Sequence, residues 1–405
     1  MIRPRDASTI LIALSLVLAA GGDATAQLAN SAWPKFQHDA QNTGRSDDLA
    51  GPVTEPTVVW EQDYKGPRRA TPALAEDGTI YLGVGRLPLA AINPVDGTQI
   101  WGTSEGNASQ ADRSAPAVGA DGTIYFGERS NDLWSVSPVD GSTNWRFPVP
   151  TDGDVSTPPT VGPDGRIYMG SDALGAGKVY ALNPNGTVDW TVNLGGAPIN
   201  VSPALSHDGS VVYFVSGGRR LHGLSTADGL DVFPPFTAQT AATGSRAFNY
   251  SPVVGKDGTI YLAARSVLVA VNPNGTEKWR FDPPGEQFAS PVALGPDVDN
   301  SGLEDAIYAI SYTKFGTIRA IDPTNGAVLW DSDMISSGKA RNTPAIVDAN
   351  GNVFASVGKI LYAYDPPGNT LWMKLFRRGF VSSPILGDNG ILYVGNGHTL
   401  FKLSQ

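Results

Sequence analysis

Residues 251–279, SPVVGKDGTIYLAARSVLVAVNPNGTEKW, hold four strand-sized segments and two turns, and nearly the same pattern recurs seven more times in the 405-residue chain. Ser251-Pro252 opens a short apolar run from Val253 to Gly255. Asp257-Gly258 then supplies a tight turn, because glycine tolerates positive φ and the aspartate side chain bonds the backbone two residues on. Thr259 to Leu262 follows as a β-branched and aromatic strand, and Ser266 to Val271 alternates as a third. After the Asn272-Pro273-Asn274-Gly275 turn, Thr276 to Arg280 makes a fourth, carrying Trp279. One repeat is a four-stranded antiparallel meander.

Outward from this unit the anchors run Thr71-Pro72, Ala115-Pro116, Pro158-Pro159, Ser202-Pro203, Ser251-Pro252, Ser290-Pro291, Thr343-Pro344 and Ser383-Pro384. Their spacing of about forty to fifty residues is the period of a propeller blade. An aromatic keeps register after each first turn, at Tyr81, Tyr125, Tyr168, Tyr213, Tyr261, Tyr308, Phe354 and Tyr393. Trp101, Trp145, Trp190, Trp279, Trp330 and Trp372 end fourth strands, with Phe233 as the substitute in the fourth repeat. A solenoid would leave two ends to cap. Here the eighth repeat stops after a third strand at His398 to Ser404, while Thr57-Val58-Val59-Trp60 is a fourth strand preceding any first one. Pairing the two closes a ring and removes both exposed sheet edges. The expected fold is all-β, an eight-bladed β-propeller of four-stranded antiparallel blades over 57–405, closed by an N-terminal strand that completes the last blade.

Composition agrees: 41% hydrophobic and 17% charged residues suit a globular core, and Gly 47 with Pro 31 supplies the turns that so many strands need. Residues 1–26 read as a secretory signal peptide, with Arg3 and Arg5 ahead of an apolar Ile10–Ala20 run and Ala24-Thr25-Ala26 before Gln27. The expected product is periplasmic or secreted and monomeric. Cys 0 leaves no lipid-attachment site, disulfide, thiolate metal site or cysteine nucleophile. A net charge of −10 argues against nucleic-acid or anionic-membrane partners. Residues 27–56 form an N-terminal extension expected to lie across the propeller, anchored by Trp33 and Phe36, with His38 and Asp39 as the alternative of a ligand clamp.

The blocks NPVDGTQIW (93–101), NPNGTVDW (183–190) and 272–279, together with WPKFQHDAQNTGRS at 33–46, resemble the pyrroloquinoline-quinone-repeat superfamily of eight-bladed propellers. That superfamily holds quinone-dependent dehydrogenases and the non-enzymatic outer-membrane assembly lipoprotein of the Bam complex. The resemblance implies fold more than function. The dehydrogenases often carry a vicinal cysteine pair, which this chain cannot have, and no Glu, Asn and Asp set for a catalytic calcium stands out, so pyrroloquinoline quinone is not expected. The chain sits nearer the non-enzymatic members.

In a propeller the loops joining strand four to the next strand one, and strand two to strand three, share one face. The first class holds Arg68, Arg69, Arg113, Arg246, Lys339, Arg341, Arg377 and Arg378; the second holds Arg86, Arg129, Lys178, Arg219, Arg220, Arg265, Lys314 and Lys359. These are more than half of the 29 Lys and Arg. The opposite face collects Asp77, Asp121, Asp164, Asp208 and Asp257. The expectation is a basic channel face for an anionic ligand, acidic polysaccharide or envelope protein, with Arg69, Arg113, Arg246, Arg341 and Arg378 as cations. Asn200, Asn249, Tyr250, Phe288 and Asn342, with Phe380, would add hydrogen bonds and stacking surfaces. The long 234–250 connection could form a lid.

In the sixth repeat the Asp-Gly turn is replaced by DVDNSGLED, 297–305. Asp297, Asp299, Ser301, the Leu303 carbonyl and Asp305 stand at alternate positions, with Gly302 letting the loop curl, an arrangement expected to hold a structural calcium ion. It resembles the calcium loops of integrin-type blades. The four histidines are scattered: His207 reads as a solvent-facing turn residue and His398 as a loop residue able to reach the basic face. The leading function is a non-catalytic binding or scaffold module. Alternatives are a lyase acting on acidic polysaccharides, with Tyr250 or His398 moving the proton, and a quinone-dependent dehydrogenase.

Overall fold

The turns decide where each strand ends. At Gly258 the chain takes φ +82, and Asp257 Oδ1 accepts the Thr259 N–H at 2.9 Å, so Val253–Val254 folds back on Ile260–Ala263. Leu268–Val271 and Glu277–Phe281 complete an antiparallel sheet in chain order. The computed structural model describes residues 27–405 except 65–70, 85–86, 104–113, 129–131, 150–154, 156, 172–176, 196–198, 200, 217–219, 238–249, 265, 313–315, 334–342, 381 and 397.

Eight such sheets form the ring. Blades 1 to 8 begin at Ala73–Leu74, Ala117–Val118, Thr160–Val161, Ala204–Leu205, Val253–Val254, Ala293–Leu294, Ile346–Val347 and Ile385–Gly387. The outer strand of blade 8 is Thr57–Asp63, paired antiparallel with Thr399–Ser404 from Thr57 opposite Ser404 to Asp63 opposite Thr399. The ring is therefore closed by chain segments from its two ends, as expected. Blade 6 gains a short strand, Gln287–Phe288. The only helical turn among the described residues is Asp388–Gly390, which replaces the Asp-Gly turn of blade 8.

Adjacent blades are joined by one repeated contact. Within seven blades the outer-strand tryptophan packs on the strand-two aromatic, with ring centroids 5.8 Å apart for Tyr81 and Trp101 and 6.1 Å for Tyr393 and Trp60. Its indole N–H then reaches the next blade and donates to a turn carbonyl: Trp101 to Pro138 at 2.9 Å, Trp145 to Pro184 at 2.8 Å, Trp279 to Pro323 at 2.8 Å. The ring face lies under the glycine of that turn. A Cβ on Gly141, whose φ is +73, would come within 2.5 Å of Trp101. Blade 8 has no turn between its last two strands, and Trp372 donates instead to the Pro52 carbonyl at 2.7 Å. Trp60 carries the ring onward to Pro94 of blade 1 at 3.2 Å.

In blade 4 the sequence reading needs correction. The fourth strand is Phe236–Thr237, and Phe233 precedes it because Pro234-Pro235 has no N–H to donate to a ladder. The aromatic role persists: Phe233 is buried, stacks on Tyr213 at 6.5 Å and lies under Gly275 of blade 5.

The inner strand of every blade is a sheet edge, whose unpaired N–H groups need acceptors. The N-terminal segment supplies them. Carbonyls of Trp33, Pro34, Ala40, Gln41, Thr43 and Gly44 accept the amides of Leu74, Val118, Leu205, Val254, Leu294 and Val347, at 2.8 or 2.9 Å, binding six blades. Asn42 Nδ2 adds bonds to the Pro203 and Pro252 carbonyls. Since each of these amides lies just before its strand-one turn, the strap closes the channel at the Asp-Gly end. Trp33 is 1% exposed and is the anchor expected of it, whereas Phe36 is half-buried. Lys35 is fully buried, and its ammonium donates to the Phe36 and Asp39 carbonyls and to Asn42 Oδ1. Burial pulls Lys35 down to about 7, and the charge of Asp39 opposes that pull.

Two outcomes follow from these contacts. Gly141→Ala should lower stability by about 2 kcal/mol or more, from a strained left-handed backbone plus overpacking against Trp101. Gly195→Ala, with φ +76 and nothing within 4 Å, should show only the backbone part in urea unfolding. Lys35 binds its proton less tightly when folded, so the unfolded chain holds more protons between about 7 and 10.5. Stability should therefore rise with pH across that window, by on the order of 1 kcal/mol per pH unit, and Lys35→Met should remove the slope.

Candidate functional site

With the strap across one end, strands two and four of the blades end, and strands three and the next strands one begin, at the other mouth. Among the described residues Arg45, Arg146, Arg166, Lys256, Lys278, Arg280, Arg319 and Lys374 pair with carboxylates. Lys402, like Lys35, donates to a backbone carbonyl. The five Lys and Arg side chains left without a carboxylate partner among the described residues are Lys178, Arg220, Lys359, Arg377 and Arg378, all at the open mouth.

The turn end is the reverse case. Two of its carboxylates bond their own turns: Asp96 accepts the Thr98 N–H and hydroxyl, and Asp140 accepts those of Ser142, which holds both carboxyls below the usual range. These groups stay ionised and locally engaged.

Of the sequence-derived ligand residues, Arg69, Arg113, Asn200, Arg246, Asn249, Arg341 and Asn342 lie outside the described residues, as does most of the 234–250 connection. Arg378 is exposed at the mouth. Tyr250 instead donates its hydroxyl to the Phe288 carbonyl at 3.0 Å. Phe288 is 1% exposed, edge-on to Phe281 at 6.3 Å, so its ring belongs to the junction of blades 5 and 6 and offers no stacking face. Phe380 is likewise buried, against Phe376. His38 and Asp39 stay within the strap, where Asp39 accepts the Thr43 N–H at 2.9 Å. His207 is exposed and bonds the Gly255 carbonyl at 3.0 Å.

In the 297–305 loop, carboxylate oxygens of Asp297, Asp299 and Asp305 all lie within 4.8 Å of one another. Asn300 at φ 56 and Gly302 at φ 86 turn the backbone so that Asp297 also accepts the Ser301 and Gly302 amides. Ser301 Oγ bonds the Leu303 N–H at 3.3 Å. Lys256 Nζ stands 2.6 Å from Asp297 Oδ2, and that bond leads in holding the Asp297 carboxyl below its ordinary value. This loop is at the turn end, away from the open mouth.

Two buried polar groupings went unread in the sequence. His222 contacts Ser216 Oγ at 3.2 Å and stands 3.7 Å from Asp231; burial lowers its pKa, so the ring is held neutral between blades 3 and 4. Arg319, over the Phe281 ring at 5.2 Å, is clamped by Glu286 and Asp331. Both lie on third strands, and nothing in spacing tells which face a blade neighbour covers.

A family model described as outer membrane protein assembly factor BamB matches residues 54–172 and 314–405. A tetrathionate hydrolase from Acidithiobacillus ferrooxidans is 27% identical over 249 residues, covering 56% of this chain and 47% of that protein, so the chain spans about half the length of this relative. Among solved structures, a europium-containing methanol dehydrogenase superposes with TM-score 0.74 at 12% identity, over 93% of this chain and 98% of that one. The quinohemoprotein alcohol dehydrogenase of Comamonas testosteroni gives 0.70 at 13%, over 92% and 80%. BamB from Moraxella catarrhalis gives 0.63 at 15%, over 86% and 100%. Likeness at these identities is likeness of fold.

Proposed function

The chain belongs to the family described as outer membrane protein assembly factor BamB, and on that premise we propose that it is an exported, non-catalytic binding or scaffold propeller whose open basic mouth takes an anionic ligand or acidic partner. One observation carries the reading: the five described cations without a carboxylate partner all stand at that mouth, while the strap occupies the other. Unpaired arginine forks suit carboxylate, sulfate or phosphate oxygens. Export rests on the signal-like 1–26 segment, and the periplasm or the cell exterior is its destination.

The tetrathionate hydrolase relative favours a second reading, hydrolysis of a sulfur oxyanion, since such a dianion would be drawn to the same cations. A quinone–calcium centre is less well supported: the converging carboxylate trio among the described residues lies at the turn end, so neither reading routes a step through one. Retention of the protein on immobilised polygalacturonate, fading as ionic strength passes about 0.1 M where screening reaches about 10 Å, is the expected result. Proton release from tetrathionate in a pH-stat would move the assignment to the second reading. Failure to bind either anion would end both.

The 297–305 loop is proposed as a structural calcium site, with Asp297, Asp299 and Asp305 as carboxylate ligands and Ser301 and the Leu303 carbonyl completing the shell. Calcium should raise the melting temperature, and Asp299→Ala should abolish that rise. An identical melting temperature in calcium and in chelator removes the site.

A further inference from the structure

The connection between blades 7 and 8 brings together polar groups that have no partner. Phe376 N–H donates to the Lys359 carbonyl at 2.8 Å and Phe380 N–H to the Gly358 carbonyl at 3.0 Å, pinning residues 376–380 against the 358–359 turn. The fit is close, since a Cβ on Gly379 would stand 3.0 Å from the Gly358 carbonyl. Phe376 and Phe380 turn inward, 4.9 Å apart, and Phe376 meets Phe401 at 5.0 Å. Arg377 and Arg378, between those two rings in sequence, are exposed beside an exposed Lys359.

Just beyond, Ser382 and Ser383 are 3% and 4% exposed, and neither hydroxyl has a hydrogen-bond partner. Gly395 of blade 8 makes room for the first of them, because a Cβ there would come within 2.4 Å of Ser382 Oγ. Asn396, the next residue, carries an unpartnered buried Oδ1, and Ser356, two residues before Gly358, an unpartnered buried hydroxyl. Buried polar atoms are ordinarily bonded. Three hydroxyls able to donate and one amide oxygen able to accept are left unpartnered on residues of blades 7 and 8, and the loops between them carry Lys359, Arg377 and Arg378, which have no carboxylate partner among the described residues.

From this juxtaposition we infer that the blade 7–blade 8 boundary binds a compact divalent oxoanion of the sulfate or thiosulfonate class, an inference that rests on the reading of the open mouth as an anion-binding face. Lys359, Arg377 and Arg378 supply charge and forked donors, and Ser382 and Ser383 supply directional hydroxyls. Three cations and two hydroxyls exceed what the two oxygens of a planar carboxylate accept, and match an anion with three or more. Two touching loops also enclose a small ion better than a polymer.

Isothermal titration of the full chain with sulfate, tetrathionate and acetate at one low ionic strength tests this. Sulfate or tetrathionate should bind at least about 10-fold tighter than acetate, and Ser382→Ala should weaken binding about 10-fold, as for a hydrogen bond to a charged group. The Arg377→Ala/Arg378→Ala double variant should lose at least as much, while Lys278→Ala, paired with Asp257 at the turn end, should stay within about two-fold of the parent. Binding that survives the double variant overturns the site and leaves the basic face standing, and an equal loss in Lys278→Ala also overturns the site. No binding of sulfate or tetrathionate by a protein that still retains polygalacturonate also overturns the site alone. Loss of all three overturns the reading beneath it.

Discussion

A tryptophan N–H reaching from one blade to a turn carbonyl of the next is the contact on which the ring depends. It combines an aromatic pair inside the blade, worth about 0.5–1.5 kcal/mol beyond buried area, with a hydrogen bond between blades, worth about 1 kcal/mol. It also forces glycine under the indole, as at Gly141 and Gly97. Where the repeat breaks, the contact survives by substitution. Phe233 keeps the ring stack and drops the hydrogen bond, and Pro52 of the N-terminal segment stands in for the turn that blade 8 lacks.

Closing the ring leaves eight inner edges facing a channel, and the strap answers that constraint for six of them. The cost is a lysine in the interior, kept there by three oxygen acceptors that fit an ammonium's three protons. Because the strap binds at the turn end, whatever the channel mouth engages must approach the other face. Among the described residues that face has five cations without a carboxylate partner, whereas Asp96 and Asp140 of the turn end are tied to their own backbone. The two-faced character is thus a consequence of where strand one turns and where strand four leaves.

Much of this was legible. The proline anchors, the strand-two aromatics and the tryptophans gave blade number, strand order and the exchange of Thr57–Asp63 into the last blade, because each is a local pattern repeated in register. The candidate site was less legible. Tyr250 and Phe288 looked available because both flank a proline anchor, yet the insertion that forms Gln287–Phe288 turned them into a blade junction. Loop class placed Arg378 at the mouth, where it is exposed, but said nothing of the buried side chains of Ser382, Ser383 and Asn396, since a lone serine beside a proline anchor or an asparagine at a strand end carries no signal until its neighbours are known.

The amino-acid sequence alone determined the repeat, its turns and the sign of charge on each loop class, since these rest on interactions within a few residues. Only the tertiary structure decided which end the strap closes and that Lys35 is buried. Those facts hang on bonds such as Leu294 to Thr43 and Trp372 to Pro52, between residues hundreds of positions apart. Such pairs meet only once the ring has closed.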